Sequence, residues 1–180
     1  DISTNMMSEA QNLARKNDQL SSINWYNCSY QELSYKNLGH FDLIMCHAVI
    51  EWLAHPSDLI RTLADLKSKD GVISLTFYNK NALIYRNLLQ GNFRVLESKF
   101  NADPGSLTPH TPFLPESILG WAKASKLELV KSSGIRVFFD YIPSFKGGHL
   151  NDADLIGKEL EYSESEPFKS LGRYIHYVLK

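Results

Sequence analysis

The chain has 180 residues, 43% of them hydrophobic, with 19 Lys and Arg against 20 Asp and Glu and a formal net charge of −1. This is apolar material for one ordinary domain with its own core, which excludes a disordered chain, and the length is too short for two typical domains. The charge balance excludes the global basic field of a strongly electrostatic nucleic-acid binder, although it leaves room for a local patch.

Two cysteines, Cys28 and Cys46, supply neither a disulfide framework nor metal-ligand spacing, which fits a reducing cytoplasm and no metal. No apolar run approaches the roughly 20 residues that span a bilayer, so no membrane partner is expected. The chain opens Asp1-Ile2-Ser3, without an initiator methionine, signal peptide or transit pattern, and reads as a piece of a longer protein.

Residues 5–16 place Met6, Met7, Ala10, Leu13 and Ala14 on one helical face, with Ser3 or Thr4 as N-cap. Residues 23–27 are short and rich in β-formers, and 41–47 (FDLIMCH) form a nearly continuous apolar run; both read as central parallel strands. After Pro56 a helix with Leu59, Ile60, Leu63 and Leu66 inward should end within 67–70, and a strand should follow Gly71 over 72–78. A helix over 81–90 closes on Gly91. Residues 101–115, with prolines 104, 109, 112 and 115, read as a long loop or lid. Pro115 opens a helix to residue 126, and 127–130 with 134–139 read as one strand or a bulged pair. A helix over 152–162 and an edge-proximal antiparallel strand over 171–179 complete the pattern. It predicts an α/β fold with a mostly parallel sheet and an antiparallel C-terminal strand.

Several residues sit where such a sheet binds ligands. Asp1 falls where a strand would pass into a helix, the place of an acid that accepts ribose hydroxyls; the same position suits a plain helix N-cap. His47 ends an apolar strand at its carboxyl edge, with Glu51 and Trp52 one turn later and residues 28–31 closing the preceding segment. Taken singly, His47 also fits a hydrogen-bonded structural role, and Trp52 and Cys28 fit core packing. Residues 67–99 carry an excess of four positive charges, with Lys80, Arg86, Arg94 and Lys99 able to meet phosphates or to solvate a helix face.

Asp1-Ile2-Ser3 with Met6 and Ala10, CSYQE at 28–32, FDLIMCHAVIEWL at 41–53 and GVISLTFYN at 71–79 together resemble the class I S-adenosylmethionine-dependent methyltransferases, with a Rossmann-like fold. HAVIEW, GNF at 91–93, GIRVFFDY at 134–141 and LGRYIH at 171–176 narrow the resemblance to the tRNA 5-carboxymethoxyuridine methyltransferases, over essentially the whole chain. The resemblance implies one methyltransferase domain over residues 1–180, without the family's first strand, glycine-rich motif and first helix. It implies S-adenosyl-L-methionine as cofactor, with Asp1 and Ile2 at the ribose and Ser29 and Tyr30 at the adenine. His47 would stand beside the methionine portion, on a wall supported by Glu51 and Trp52.

Arg136, Tyr141, Arg173, Tyr174 and His176 lie in the two C-terminal motifs. An arginine fork suits a carboxylate or phosphate and tyrosines stack a splayed base, so the resemblance makes them substrate-side candidates, with the tRNA anticodon loop as partner; strand packing is the other role open to Tyr174 and His176. The implied reaction transfers a methyl group to the carboxylate of 5-carboxymethoxyuridine at the wobble position, giving an ester. A carboxylate is ionised at neutral pH, so no general base is needed and no catalytic residue is nominated. The rival readings are a methyltransferase for a small metabolite, whose cofactor motifs would be the same, and a non-catalytic binding subunit.

Overall fold

The computed structural model describes residues 1–33, 35–97, 109, 111–142 and 151–180. The chain divides into two compact units, residues 1–39 and 40–180. In the first, helix α1 (Thr4–Lys16) is capped by Ser3, whose hydroxyl accepts from the Met6 N–H, and Arg15 and Lys16 complement the carbonyls of its last turn. A 3-10 turn (Leu20–Ser22) and a short helix α2 (Tyr30–Leu33) follow.

The strand expected over 23–27 is not formed. These residues join no ladder, and the Asn27 side chain helps to tie them to the start of α1 instead. The Asn27 amide donates to the Asp1 carbonyl at 2.8 Å and its oxygen accepts from Thr4 Oγ1 at 3.1 Å.

The second unit runs β1 (Phe41–His47), a 3-10 turn (Ile50–Trp52), α3 (Pro56–Leu66), β2 (Lys67–Tyr78), α4 (Lys80–Leu89), α5 (Phe93–Glu97), α6 (Pro115–Ala124) and β3 (Leu129–Ile135). A 3-10 turn (Phe139–Tyr141), α7 (Asp152–Tyr162), a further turn (Lys169–Leu171) and β4 (Tyr174–Leu179) complete it. The strand order is β1-β2-β4-β3. β1 and β2 are parallel, while β4 is antiparallel to both β2 and β3, beside the edge strand. The described sheet is thus mixed, with its antiparallel C-terminal strand as expected and its parallel pairing confined to one pair.

One face of this sheet is the core. Ile73, Leu75 and Phe77 of β2 and Ile175, Tyr177 and Leu179 of β4 are buried at alternate positions, together with Leu59, Ile60 and Leu63 of α3 and Ile118 and Ala122 of α6. β1 departs from the central, doubly covered strand read in FDLIMCH. It is the edge of the described sheet, and Leu43 and Met45 are exposed within this unit while Cys46 is buried. A continuous apolar run records which residues can be covered, but strand order decides which are.

Other boundaries shift for local reasons. β2 begins at Lys67 rather than beyond Gly71, because residues 67–71 pair irregularly with Phe41. A Cβ on Gly71 would lie 2.7 Å from the Phe41 carbonyl oxygen. α6 stops at Ala124 because Lys126 takes a left-handed φ of 60°. β3 is one strand with an irregularity between Leu129 and Lys131, and Arg136, at φ 58°, turns the chain out of it. α5 was not legible in the sequence, and residues 101–108 and 110 of the proposed loop lie outside the described residues.

Asn79 joins the parts that carry the site. It is fully buried; its side-chain oxygen caps α4 through the Asn81 N–H at 3.0 Å, and its amide donates to the Ser170 and Gly172 carbonyls at 2.8 Å each. Asn79→Ala should lower unfolding stability by about 2–4 kcal/mol, because it leaves buried carbonyls without donors. Denaturant unfolding measures this, and a loss below about 0.5 kcal/mol would show that the network is dispensable.

Candidate functional site

Asp1, Ile2, Ser29 and Tyr30 belong to the first unit. Asp1 is exposed, and its Oδ1 accepts from the Ser3 N–H at 2.8 Å, which fixes the carboxylate at the start of α1. Ile2 is exposed beside it. Ser29 is committed internally: its N–H and hydroxyl donate to the same Glu32 oxygen at 2.8 and 3.0 Å, and these bonds hold the Glu32 carboxyl below its ordinary range. The Ser29 amide expected at an adenine is therefore already occupied. Tyr30 opens α2, partly buried.

His47, Glu51 and Trp52 belong to the second unit, around the carboxyl end of β1. Ala48, at φ 52°, takes the chain out of the strand, and its N–H donates to Thr76 Oγ1 at 3.0 Å. The turn that follows leaves Trp52 43% exposed and Glu51 wholly buried, with neither carboxylate oxygen hydrogen-bonded among the described residues. Burial accordingly raises the Glu51 pKa to about 7, and burial first, then Glu51, pushes the Cys46 thiol up to about 12.

Four of the five substrate-side candidates come together at one place. Two close approaches bring β3 and β4 there: a Cβ on Gly134 would lie 2.6 Å from the Lys169 carbonyl oxygen, and one on Gly172 would lie 2.8 Å from Gly134 Cα. The glycines of GIRVFFDY and LGRYIH thus let Arg136 and Arg173 emerge side by side, with the Arg173 N–H donating to the Arg136 carbonyl. Both guanidinium groups pair with the largely buried Asp140, that of Arg173 at 3.4 Å. Arg136 lies over the Phe139 ring at 4.8 Å, and Arg173 over the Tyr78 and Tyr174 rings at 6.0 and 5.9 Å.

The Tyr141 hydroxyl donates to the Leu171 carbonyl at 2.8 Å, and burial first, then Asp140, raises its pKa to about 12, so it remains a donor. Arg86 lines the same narrow cleft with Tyr78, Asp140, Tyr141 and Arg173. Two cations, Arg86 and Arg173, against the one carboxylate of Asp140 leave this lining net positive, and Arg136 pairs with Asp140 beside it. The fifth candidate, His176, stands elsewhere, hydrogen-bonded to Ser74 near His47. Of the other basic residues, Arg94 lies on α5 and Lys80 starts α4, while Lys99 lies outside the described residues.

Sequence reasoning missed Asp140, Asn79 and Glu159. Asp140 was visible as the i+4 partner of Arg136, and Asn79 as the end of GVISLTFYN. Glu159 gave no local signal: its carboxylate reaches from α7 to accept the Val137, Phe138 and Phe139 N–H groups at 2.7, 3.2 and 2.8 Å, which holds the turn after Arg136.

Residues 1–75 match the model of a methyltransferase domain. The chain is 30% identical over its whole length to the tRNA 5-carboxymethoxyuridine methyltransferase of Escherichia coli K12, of which it covers 69%, and 26% identical over 133 residues to a ubiquinone biosynthesis O-methyltransferase of Colwellia psychrerythraea, covering 73% of this chain and 51% of that one. In fold it resembles PKMT2 from Rickettsia typhi in complex with AdoHcy, with a TM-score of 0.62 at 11% identity; 99% of this chain is covered, but only 42% of that one.

Fold and matched domain define a class I S-adenosylmethionine-dependent methyltransferase, a class whose cofactor is S-adenosylmethionine. Within that class the chain belongs to the family of the E. coli tRNA 5-carboxymethoxyuridine methyltransferase. The residues present fit the ribose end of that cofactor, since Asp1 offers an exposed carboxylate fixed at a helix start.

The buried Glu51 generates a pH dependence. A carboxyl whose pKa is raised on folding binds its proton more tightly in the folded state, so stability falls as pH rises from about 4.5 to above 7. Glu51→Gln should flatten that fall, gaining up to about 3 kcal/mol on the wild type at pH 8 and little at pH 4. Urea unfolding of both proteins at the two pH values checks it, and a gain of equal size at both would remove Glu51 as the cause.

Proposed function

We propose that residues 1–180 are part of one methyltransferase domain that esterifies the carboxylate of 5-carboxymethoxyuridine at the wobble position of tRNA, in the cytoplasm. The observation that carries the reading is the net positive, tyrosine-lined cleft at Arg86 and Arg173, with Arg136 beside it on Asp140, in a chain that aligns throughout with the E. coli tRNA enzyme. S-adenosylmethionine, when bound, supplies an electrophilic methyl on a sulfonium.

The chain's own residues then have binding and aligning to do rather than proton transfer, because the substrate carboxylate is already ionised at neutral pH. Asp1 would accept from the ribose hydroxyls of the bound cofactor; in the second unit, His47 and Trp52 stand at the carboxyl end of β1. Arg136 and Arg173 share the single carboxylate of Asp140, which cannot neutralise both, so the part-exposed guanidinium pair retains positive charge for a carboxylate or phosphate. Tyr174, part-exposed beside Arg173, offers a ring for a splayed base.

Incubating the protein with S-adenosylmethionine and tRNA, then analysing nucleosides by mass spectrometry, should show the carboxymethoxy nucleoside replaced by one a methyl group heavier. Arg136→Ala and Arg173→Ala should each lower kcat/KM roughly tenfold to a hundredfold, as loss of a charged hydrogen bond of about 1.5–3 kcal/mol implies. An unchanged nucleoside profile alongside methylation of a free small phenol or acid would instead support the metabolite reading suggested by the O-methyltransferase relatives.

A further inference from the structure

On one face of β1, β2 and β4 lies a chain of hydrogen bonds that the proposed reaction does not use. His47 Nε2 is 2.8 Å from Ser74 Oγ, and Ser74 Oγ is 2.8 Å from His176 Nε2. The rings stand edge to face with centroids 6.0 Å apart. The register explains the meeting: His47 and His176 both pair with Thr76, from opposite sides of β2, and Ser74 lies one alternation earlier on the same face.

A hydroxyl has one proton to give. Ser74 can donate to one imidazole nitrogen while accepting from the other, so two neutral rings are held in opposite tautomers, one with Nε2–H and the other with Nδ1–H. Charging His47 puts a hydrogen on its Nε2, turns the Ser74 hydroxyl toward His176, and leaves His176 neutral as the Nδ1–H form. Charging His176 reverses every bond. Charging both would face the hydroxyl with two donors and set two cations side by side.

We propose that Ser74 couples His47 and His176 into one proton-sharing unit, and that Ser74 and His176 are thereby positioning residues for the His47 ring at the carboxyl end of β1. The proton crosses by two linked transfers. The His47 Nε2 hydrogen passes to Ser74 Oγ as the hydroxyl hydrogen passes to His176 Nε2, so the hydroxyl is regenerated and the charge moves from one ring to the other.

The surroundings set the resting direction. Burial, then the facing His47 of β1, then Lys131 of β3, hold His176 below the ordinary histidine range, and Lys131 is itself paired with Glu164 at 2.6 Å. His47 is exposed. These surroundings disfavour the charged form of His176. The coupling stands independently of the proposed function, whereas the positioning role rests on it.

Nitrogen-15 NMR of the imidazoles tests the coupling. Above the titration range the wild type should show opposite tautomers, and the rings should titrate with apparent pKa values more than about one unit apart. Ser74→Ala should abolish both signatures, and Ser74→Thr, which keeps the hydroxyl, should retain them. Identical tautomers in the wild type, or unchanged titrations in Ser74→Ala, overturn the proposal. In the tRNA assay Ser74→Ala and His176→Gln should alter kcat/KM severalfold with Ser74→Thr close to wild type; coupling by NMR with unaltered kinetics would remove the positioning role. Absence of wild-type methyl transfer would count against the proposed function and leave the coupling intact.

Discussion

Asn79 is the point on which the second unit turns. A buried amide has to find partners for its oxygen and both its hydrogens, and Asn79 finds them in two pieces of chain: the first turn of α4, and the turn before β4 through the carbonyls of Ser170 and Gly172. Its own backbone N–H donates to the Arg173 carbonyl, and the adjacent residues Tyr78 and Lys80 bond to Phe113. The end of β2, the start of α4 and the entry to β4 are thus held to one another before any site residue is considered.

The positive cleft follows from that arrangement. With the turn before β4 fixed, Gly172 meets Gly134 at a distance no side chain tolerates, and the arginines that follow each glycine arrive together. Two guanidinium groups so placed need a nearby anion, and Asp140 provides it from the same turn as Arg136. Glu159 secures the turn by taking three successive N–H groups that would otherwise lack acceptors. The cleft is therefore rigid through hydrogen bonds to backbone, while its charge remains unbalanced in favour of an incoming anion.

The carboxyl end of β1 is built differently. Thr76 captures the Ala48 N–H and so fixes where the strand ends, His47 is bound from one side by Ser74, and Glu51 is buried without a hydrogen-bond donor among the described residues. The two regions share β2 and β4: Tyr78 and Tyr174 lie at the cleft and Ser74 and His176 near His47, all on one face because β-strand side chains alternate.

By itself the sequence determined the family, the helices with clear caps and period and the antiparallel last strand. α7 was legible at both ends because Asn151 and its acidic first turn are local signals. The grouping of Arg136, Tyr141, Arg173 and Tyr174 was legible through motif resemblance. Only the tertiary structure decided that residues 23–27 form no strand and that β1 is an edge of the described sheet. It also decided that His176 belongs with His47 rather than with the arginines, and that Asp140, Asn79 and Glu159 hold the cleft. The reason is physical: caps and periodicity act between residues a few positions apart, whereas strand order, glycine contacts and buried hydrogen bonds join residues far apart in the chain, from 20 positions between Phe139 and Glu159 to 102 between Ser74 and His176.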